Sequence, residues 1–391
     1  MPKRLVYLDS AATTPVRPEV LEAMLPYLGP DAFGNPSSPH RFGRAARAGV
    51  DDAKRRIAET LGAEPGQVIF TSGGTEADNL AVIGCALAAR ERGGPFRVAV
   101  SAIEHKAVLA AAHAVTRLGG EEIILPVNGA GEVLEDALVQ ALARGLAVVS
   151  VMWVNNEIGV VQPVARLAAR CREAGVPFHV DGVQAFGKVP VSLHDVACTL
   201  FTVSGHKIGA PKGIGALIVR DRHAVEAIIH GGGQQFGIRP GTENVPGIVG
   251  LAAAVELAAR EQAAFAARVA ALRDELERGL VAVVPDAVIN AAHGRRAPHV
   301  TSVSIPGTDS EALLMHLDLA GIACSSGSAC STGAVEPSHV LTAMGVPREL
   351  GVAALRFSFG KQNTSEDVEA TVAALPKIVE KVRALSAVLH R

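Results

Sequence analysis

Val68-Ile69-Phe70-Thr71-Ser72-Gly73-Gly74-Thr75-Glu76 sets a short apolar run directly against a glycine turn and the start of a helical pattern. Strand, tight turn and helix in immediate succession open a βα unit. The alternation recurs downstream: residues 97–101 precede a helix after His105, residues 121–127 precede a helix over 135–143, and 147–154, 177–180, 200–203 and 216–219 continue the strand series. Short strands alternating with Ala-rich helices predict an α/β fold, with a mostly parallel sheet covered by helices on both faces. In such sheets ligands gather beyond the carboxyl ends of the strands.

The pattern changes near Gly247. A long Ala-rich helical stretch runs to about Leu280, followed by a strand-like segment over 300–305, a helix over 310–320, a Gly/Ser-rich segment with two cysteines, and a final helix from Ser365. The change places a large domain at 13–262 and a smaller α/β domain at 263–391, joined by residues 1–12. With 391 residues, 49% of them hydrophobic, the chain can fill a sizeable core. Lys and Arg number 37 against 39 Asp and Glu, a formal charge of −2 with no basic block, which argues against a nucleic-acid partner and for a small one. Five cysteines, Cys85, Cys171, Cys198, Cys324 and Cys330, are an odd number without a C-x-x-C pair. That argues against a disulfide framework and against a thioredoxin-type or zinc motif, and points to reduced thiols. The first eight residues carry no apolar signal region, and no eighteen uninterrupted apolar residues occur, so a soluble cytoplasmic protein without a membrane partner is expected.

Several side chains fall where strand ends would converge. Lys207 closes Val203-Ser204-Gly205-His206-Lys207 ahead of the Gly-rich residues 208–215, a placement suited to a Schiff base. Cys324-Ser325-Ser326-Gly327-Ser328-Ala329-Cys330 presents thiols on a Gly/Ser loop, and the pairing suggests a carbonyl cofactor working with a nucleophilic sulfur. In residues 71–76 the glycines let backbone N–H groups approach an anion at a helix start, although the same residues also read as an ordinary βα turn with Thr75 as N-cap. Asp181, after Phe178-His179-Val180, is an acid at the end of an apolar strand; it meets a protonated pyridinium or caps the next helix. His105 opens a helix as a cap, a surface residue or a catalytic group. Arg356, within Leu355-Arg356-Phe357-Ser358, takes a carboxylate from its own chain or from a ligand.

The order of these groups resembles that of the cysteine desulfurases related to the nitrogen-fixation and iron–sulfur-cluster enzymes, within the class V aminotransferase-like pyridoxal phosphate (PLP) enzymes. The resemblance covers nearly the whole chain and includes Tyr7-Leu8-Asp9-Ser10-Ala11-Ala12-Thr13-Thr14-Pro15, Gly34-Asn35-Pro36-Ser37-Ser38, Glu104-His105, Val154-Asn155-Asn156-Glu157-Ile158-Gly159 and residues 71–79, 181–184, 204–207, 239–244 and 325–330. It implies the type I PLP-dependent transferase fold. Lys207 would hold PLP, with Asp181 on the pyridine nitrogen, Gln184 near the phenolic oxygen, and His105 stacked on the ring as proton carrier. Gly74, Thr75, Ser204 and His206 would bind the phosphate, with Asn156 also beside the cofactor. Thr242 would reach a phosphate in a neighbouring subunit, which implies a homodimer. Asn35, Asn156 and Arg356 would hold L-cysteine, with Arg356 on its carboxylate.

The implied reaction yields L-alanine and a persulfide on Cys330, whose sulfur passes to an acceptor or iron–sulfur scaffold protein. Cys330 would also be a transient ligand of a nascent iron–sulfur cluster. Cys324 departs from the family pattern and is expected to be a packing residue, with a resolving thiol or an extra ligand as alternatives. Other activities stand beside this one: a class V aminotransferase would not need Cys330, a selenocysteine lyase would use it, and a non-catalytic iron–sulfur scaffold would not need Lys207, Asp181 and His105 together.

Overall fold

A computed structural model describes residues 5–327, 330–331 and 334–389, without the side chains of 330, 331, 334, 335 and 386–389. The chain enters through β1 (Val6–Tyr7), α1 (Pro18–Leu28) and α2 (Arg41–Leu61). Neither helix was expected. In α2 the inward stripe is made largely of small residues, Gly43, Ala46, Gly49, Val50 and Ala53, ahead of Ile57 and Leu61, which weakens the apolar signal over its first half.

The βα series follows: β2 (Val68–Thr71), α3 (Gly74–Glu91), β3 (Arg97–Ser101), α4 (Lys106–Arg117), β4 (Glu121–Leu125), α5 (Glu135–Leu142), β5 (Val148–Ser150), α6 (Val164–Glu173), β6 (Phe178–Asp181), β7 (Leu200–Ser204) and β8 (Gly215–Val219). These seven strands form one sheet in the order β2-β8-β7-β6-β5-β3-β4. All neighbours are parallel except β8, which runs antiparallel to both β2 and β7. Every residue of β2, β5, β6, β7 and β8 is buried, as a sheet covered on both faces requires. β5 is shorter than the expected 147–154. Beyond Ser150 the Met152 N–H donates to Glu104 Oε1 at 2.7 Å instead of a strand neighbour. The amphipathic α6 lay outside the anticipated elements.

Then comes α7 (Val245–Val283), 39 residues long. Its apolar residues up to Leu257 pack in the main core, and those from Val269 onward pack in a second cluster. After α7 come β9 (Val288–Ile289), β10 (Val300–Ser304), α8 (Ser310–Ala320), β11 (Ile322–Ala323), β12 (Cys330–Ser331), β13 (Ala334–Val335), α9 (His339–Ala343), α10 (Arg348–Gly351), β14 (Ala354–Ser358) and α11 (Ser365–Leu389); the second cluster draws on β9, β10, α8, β11, β14 and α11, whereas Val340 and Leu341 of α9 pack in the main core. β14, β10 and β9 make a small antiparallel sheet. β1 pairs in parallel with β11, and Asp9 bridges to Ser358, so the chain start is stitched to the smaller sheet. Cys330 and Ser331 pair with Val335 and Ala334, giving a short antiparallel ribbon where an open loop was expected.

Candidate active site

The carboxyl ends of β6 and β7 and the amino end of α3 meet at one place. Asp181 is the last residue of β6 and Ser204 the last of β7; a single 3-10 turn, residues 205–207, then delivers Lys207. Opposite them Gly74 begins α3, with Gly73 as its cap residue, so Thr75 sits one turn position inside the helix and is not the N-cap. A Cβ added at Gly74 would lie 3.1 Å from Val183 Cγ2 and 3.4 Å from Ser204 Cβ, so a side chain there would crowd the hollow between helix and strand. An 18-residue helix presenting free N–H groups beside Ser204 and His206 suits a phosphate.

Lys207 Nζ donates to the carbonyls of Ala11 and Ala12, both at 2.7 Å. Burial, reinforced by the Arg356 cation, lowers its ammonium to about 8. Asp181 is buried and accepts the Val183 N–H at 2.9 Å. Burial raises this carboxyl, while the Val183 N–H, His105 and Lys207 oppose the rise. Two further buried carboxyls lie close to it. Burial and the charge of Asp181 push Asp78 well above the carboxylate range, and burial brings Glu104 up to about 8. Of the three, Asp181 is the one whose rise is opposed by His105 and Lys207 facing it.

His105 caps α4 by accepting the Ala107 N–H on Nδ1 at 3.1 Å, so the capping reading holds. Burial lowers its imidazole, opposed by Asp181 and aided by Lys207. One residue therefore both caps a helix and faces Asp181 and Lys207. His206 Nδ1 lies 3.2 Å from Thr13 Oγ1, and burial next to Lys207 lowers its ring to about 4. Gln184 Nε2 donates to Ala11 O at 2.8 Å.

Arg356 is buried on β14 and takes a carboxylate of its own chain: Nη2 donates to Asp9 Oδ1 at 2.6 Å, and Nη1 to Asn156 O at 3.2 Å. Its Nε is buried without a partner among the described residues. Asn35 and Thr242 are not joined to this cluster. Asn35 is exposed between α1 and α2, with its amide oxygen on the Ser37 N–H, and Thr242 is exposed in the loop before α7. That loop is tied to the β2–α3 turn indirectly, through Arg239 Nε on Glu76 Oε1 at 2.7 Å in the first turn of α3. Cys324 packs against the second apolar cluster, and burial pushes its thiol up to about 12, as a packing residue requires. The Cys330 side chain lies outside the described residues.

Sequence reasoning missed three partners of this site. Asp9 holds Arg356, Lys188 donates from Nζ to the Lys207 carbonyl at 2.8 Å, and His299 Nε2 lies 3.2 Å from Gln184 Oε1. A buried lysine lowered to about 7 and a buried histidine look like ordinary residues in the sequence, because only folding brings them to the site. Among the described residues no group of three His, Cys, Asp or Glu side chains is placed to hold a metal ion, and no helix is long and apolar enough to cross a membrane.

The donor set fits PLP: a helix start and Ser204 for a phosphate, a buried carboxyl facing His105 and Lys207 for a pyridinium, and a lysine amine lowered enough to be a nucleophile. Comparison with known proteins agrees. The model of the class-V aminotransferase family matches residues 6–371. A cysteine desulfurase IscS of Dictyoglomus turgidum is 42% identical over 384 residues, covering 98% of this chain and 97% of that protein. A solved NifS-like protein superposes with a TM-score of 0.87 at 33% identity over 98% of this chain and 100% of its own. Another, from Rickettsia africae, gives 0.86 at 32% identity over 96% of this chain and 100% of its own. The chain therefore belongs to the class-V aminotransferase family and, within it, to the PLP-dependent cysteine desulfurases of the NifS and IscS kind.

Proposed function

We propose that this cysteine desulfurase draws the sulfur of L-cysteine onto Cys330 and releases L-alanine, with Lys207, His105 and Asp181 as its working groups. The observation that carries the reading is the buried lysine lowered to about 8, electrostatically linked to Asp181 at the strand end beside the α3 amino terminus. Bound PLP supplies an electron sink for the pair left at the substrate α-carbon.

Around that sink the chain holds and moves protons. Asp181 would pair with the protonated ring nitrogen, and Gly74, Thr75, Ser204 and His206 would hold the phosphate. Lys207, a free amine over much of the neutral-to-alkaline range, takes the α-proton at Nζ. The Ala107 N–H on His105 Nδ1 leaves the neutral ring's proton on Nε2, the atom from which it is given. Arg356, already neutralised on one side by Asp9, binds the substrate carboxylate beside Asn156. The Cys330 thiolate forms the S–S bond as the C–S bond breaks; that electron pair stays on carbon and is protonated to the methyl group of alanine.

The domain division at 262 is supported by the parting of the two apolar clusters along α7 between Leu257 and Val269. A homodimer is supported by the exposure of Thr242 and Asn35, which this chain alone does not bring to its own site. The acceptor is a sulfur-accepting or iron–sulfur scaffold protein, and the cytoplasm is the compartment in which the free thiols of Cys85, Cys171, Cys198 and Cys324 persist. The test is incubation of the PLP-loaded protein with L-cysteine and a reductant, with alanine and sulfide measured together. Equal amounts are expected, and alanine without sulfide or persulfide overturns the reading.

A further inference from the structure

His299 immediately precedes β10, and its carbonyl accepts the Phe359 N–H at 2.8 Å. Its ring is buried, with Nε2 3.2 Å from Gln184 Oε1 across the seam between the two sheets. Gln184 is anchored on its other side by Nε2, which donates to Ala11 O at 2.8 Å; the same carbonyl takes Lys207 Nζ at 2.7 Å. A carbonyl can only accept, so the amide must turn its nitrogen to Ala11 and its oxygen to His299. That oxygen in turn needs an N–H from the ring, which assigns the histidine proton to Nε2 and leaves Nδ1 a buried acceptor without a partner among the described residues. Burial, with the Lys188, Arg356 and Arg273 cations around it, keeps the imidazole neutral, so it has one N–H to give. An amide turned over would set two acceptors face to face at Ala11.

We propose that His299 is a positioning residue for the cofactor, holding the Gln184 amide in the orientation that offers an N–H to the phenolic oxygen of PLP. The inference rests on the reading of Gln184 as the amide beside that oxygen. It makes the smaller sheet, through one hydrogen bond, a determinant of how firmly the Lys207 linkage holds its proton. An N–H given to the phenolic oxygen stabilises negative charge there and weakens the hold on the proton shared with the lysine nitrogen. Its loss therefore raises the pH at which that proton leaves.

The experiment is a pH titration of the visible absorbance band of the PLP-loaded protein. His299→Ala is expected to move the midpoint upward by about half a unit, roughly threefold in proton affinity. His299→Gln, whose amide nitrogen overlays Nε2, restores the wild-type midpoint, and His299→Ala adds nothing in a Gln184→Ala background. His299→Asn, too short to reach Gln184, serves as the second truncation if the alanine variant does not hold PLP, and is expected to shift likewise. An unshifted midpoint in the truncated variant, or an equal shift in the Gln184→Ala background, overturns the inference alone. An unshifted midpoint in Gln184→Ala itself overturns the Gln184 reading and this inference with it.

Discussion

At Lys207, burial and the Arg356 cation bring the ammonium from 10.5 down to about 8. The neutral amine captures an aldehyde, so the rate at which the cofactor-free protein takes up PLP should rise with pH and level off above about 8; a climb continuing toward 10 would show an ordinary lysine. Glu104 shows the opposite displacement, from 4.5 to about 8 by burial. The folded state then binds more protons than the unfolded between those values, so stability falls as pH rises through them. Glu104→Gln should remove that slope and be the more stable protein at pH 9 by a few kcal/mol in chemical denaturation. For Arg356, lysine keeps a cation for Asp9 but loses the planar fork; Arg356→Lys should raise KM for cysteine about tenfold, with a smaller change in kcat. Cys330→Ser should keep the visible band and form no protein-bound sulfur, whereas Cys324→Ser should retain most of its sulfide production, its thiol being a packing group.

The strands of the main sheet were legible because their apolar runs are bounded by glycine or charged residues, and β3 and α8 fall on the expected residues. The end of β5 was not: Val151 and Trp153 still donate to His179 and Asp181 of β6, but Met152 between them gives its N–H to the Glu104 side chain on the β3 side, and nothing local in the sequence announces that partner. α2 was hidden by its small residues. At the start of α3 the hollow is measured by Gly74, whose added Cβ meets Val183 and Ser204. Gly74→Ala should fold, alanine being a good helix former, yet weaken PLP binding about tenfold in a fluorescence titration. Wild-type affinity there would show that the turn does not close on the phosphate.

Over the whole molecule the site is a meeting of distant parts. Lys207 reaches Ala11 and Ala12, Arg356 reaches Asp9, and Gln184 meets His299 across more than a hundred residues of sequence. If Thr242 serves a neighbouring subunit, a Thr242→Ala and Lys207→Ala pair of variants mixed after dissociation should regain part of the activity that each lacks, and no recovery would place both residues in one chain's site. The sequence by itself determined the α/β class, the lysine and the acid at the strand ends and the thiol segment, because each is announced by local pattern or by the order of motifs along the chain. Only the tertiary structure decided which groups shift and which partners orient them: that Arg356 is already paired, that burial beside Asp181 raises the Glu104 and Asp78 carboxyls, and that His299 meets Gln184. Those outcomes depend on burial and on separations of a few ångströms between residues far apart in the chain, which no local reading contains.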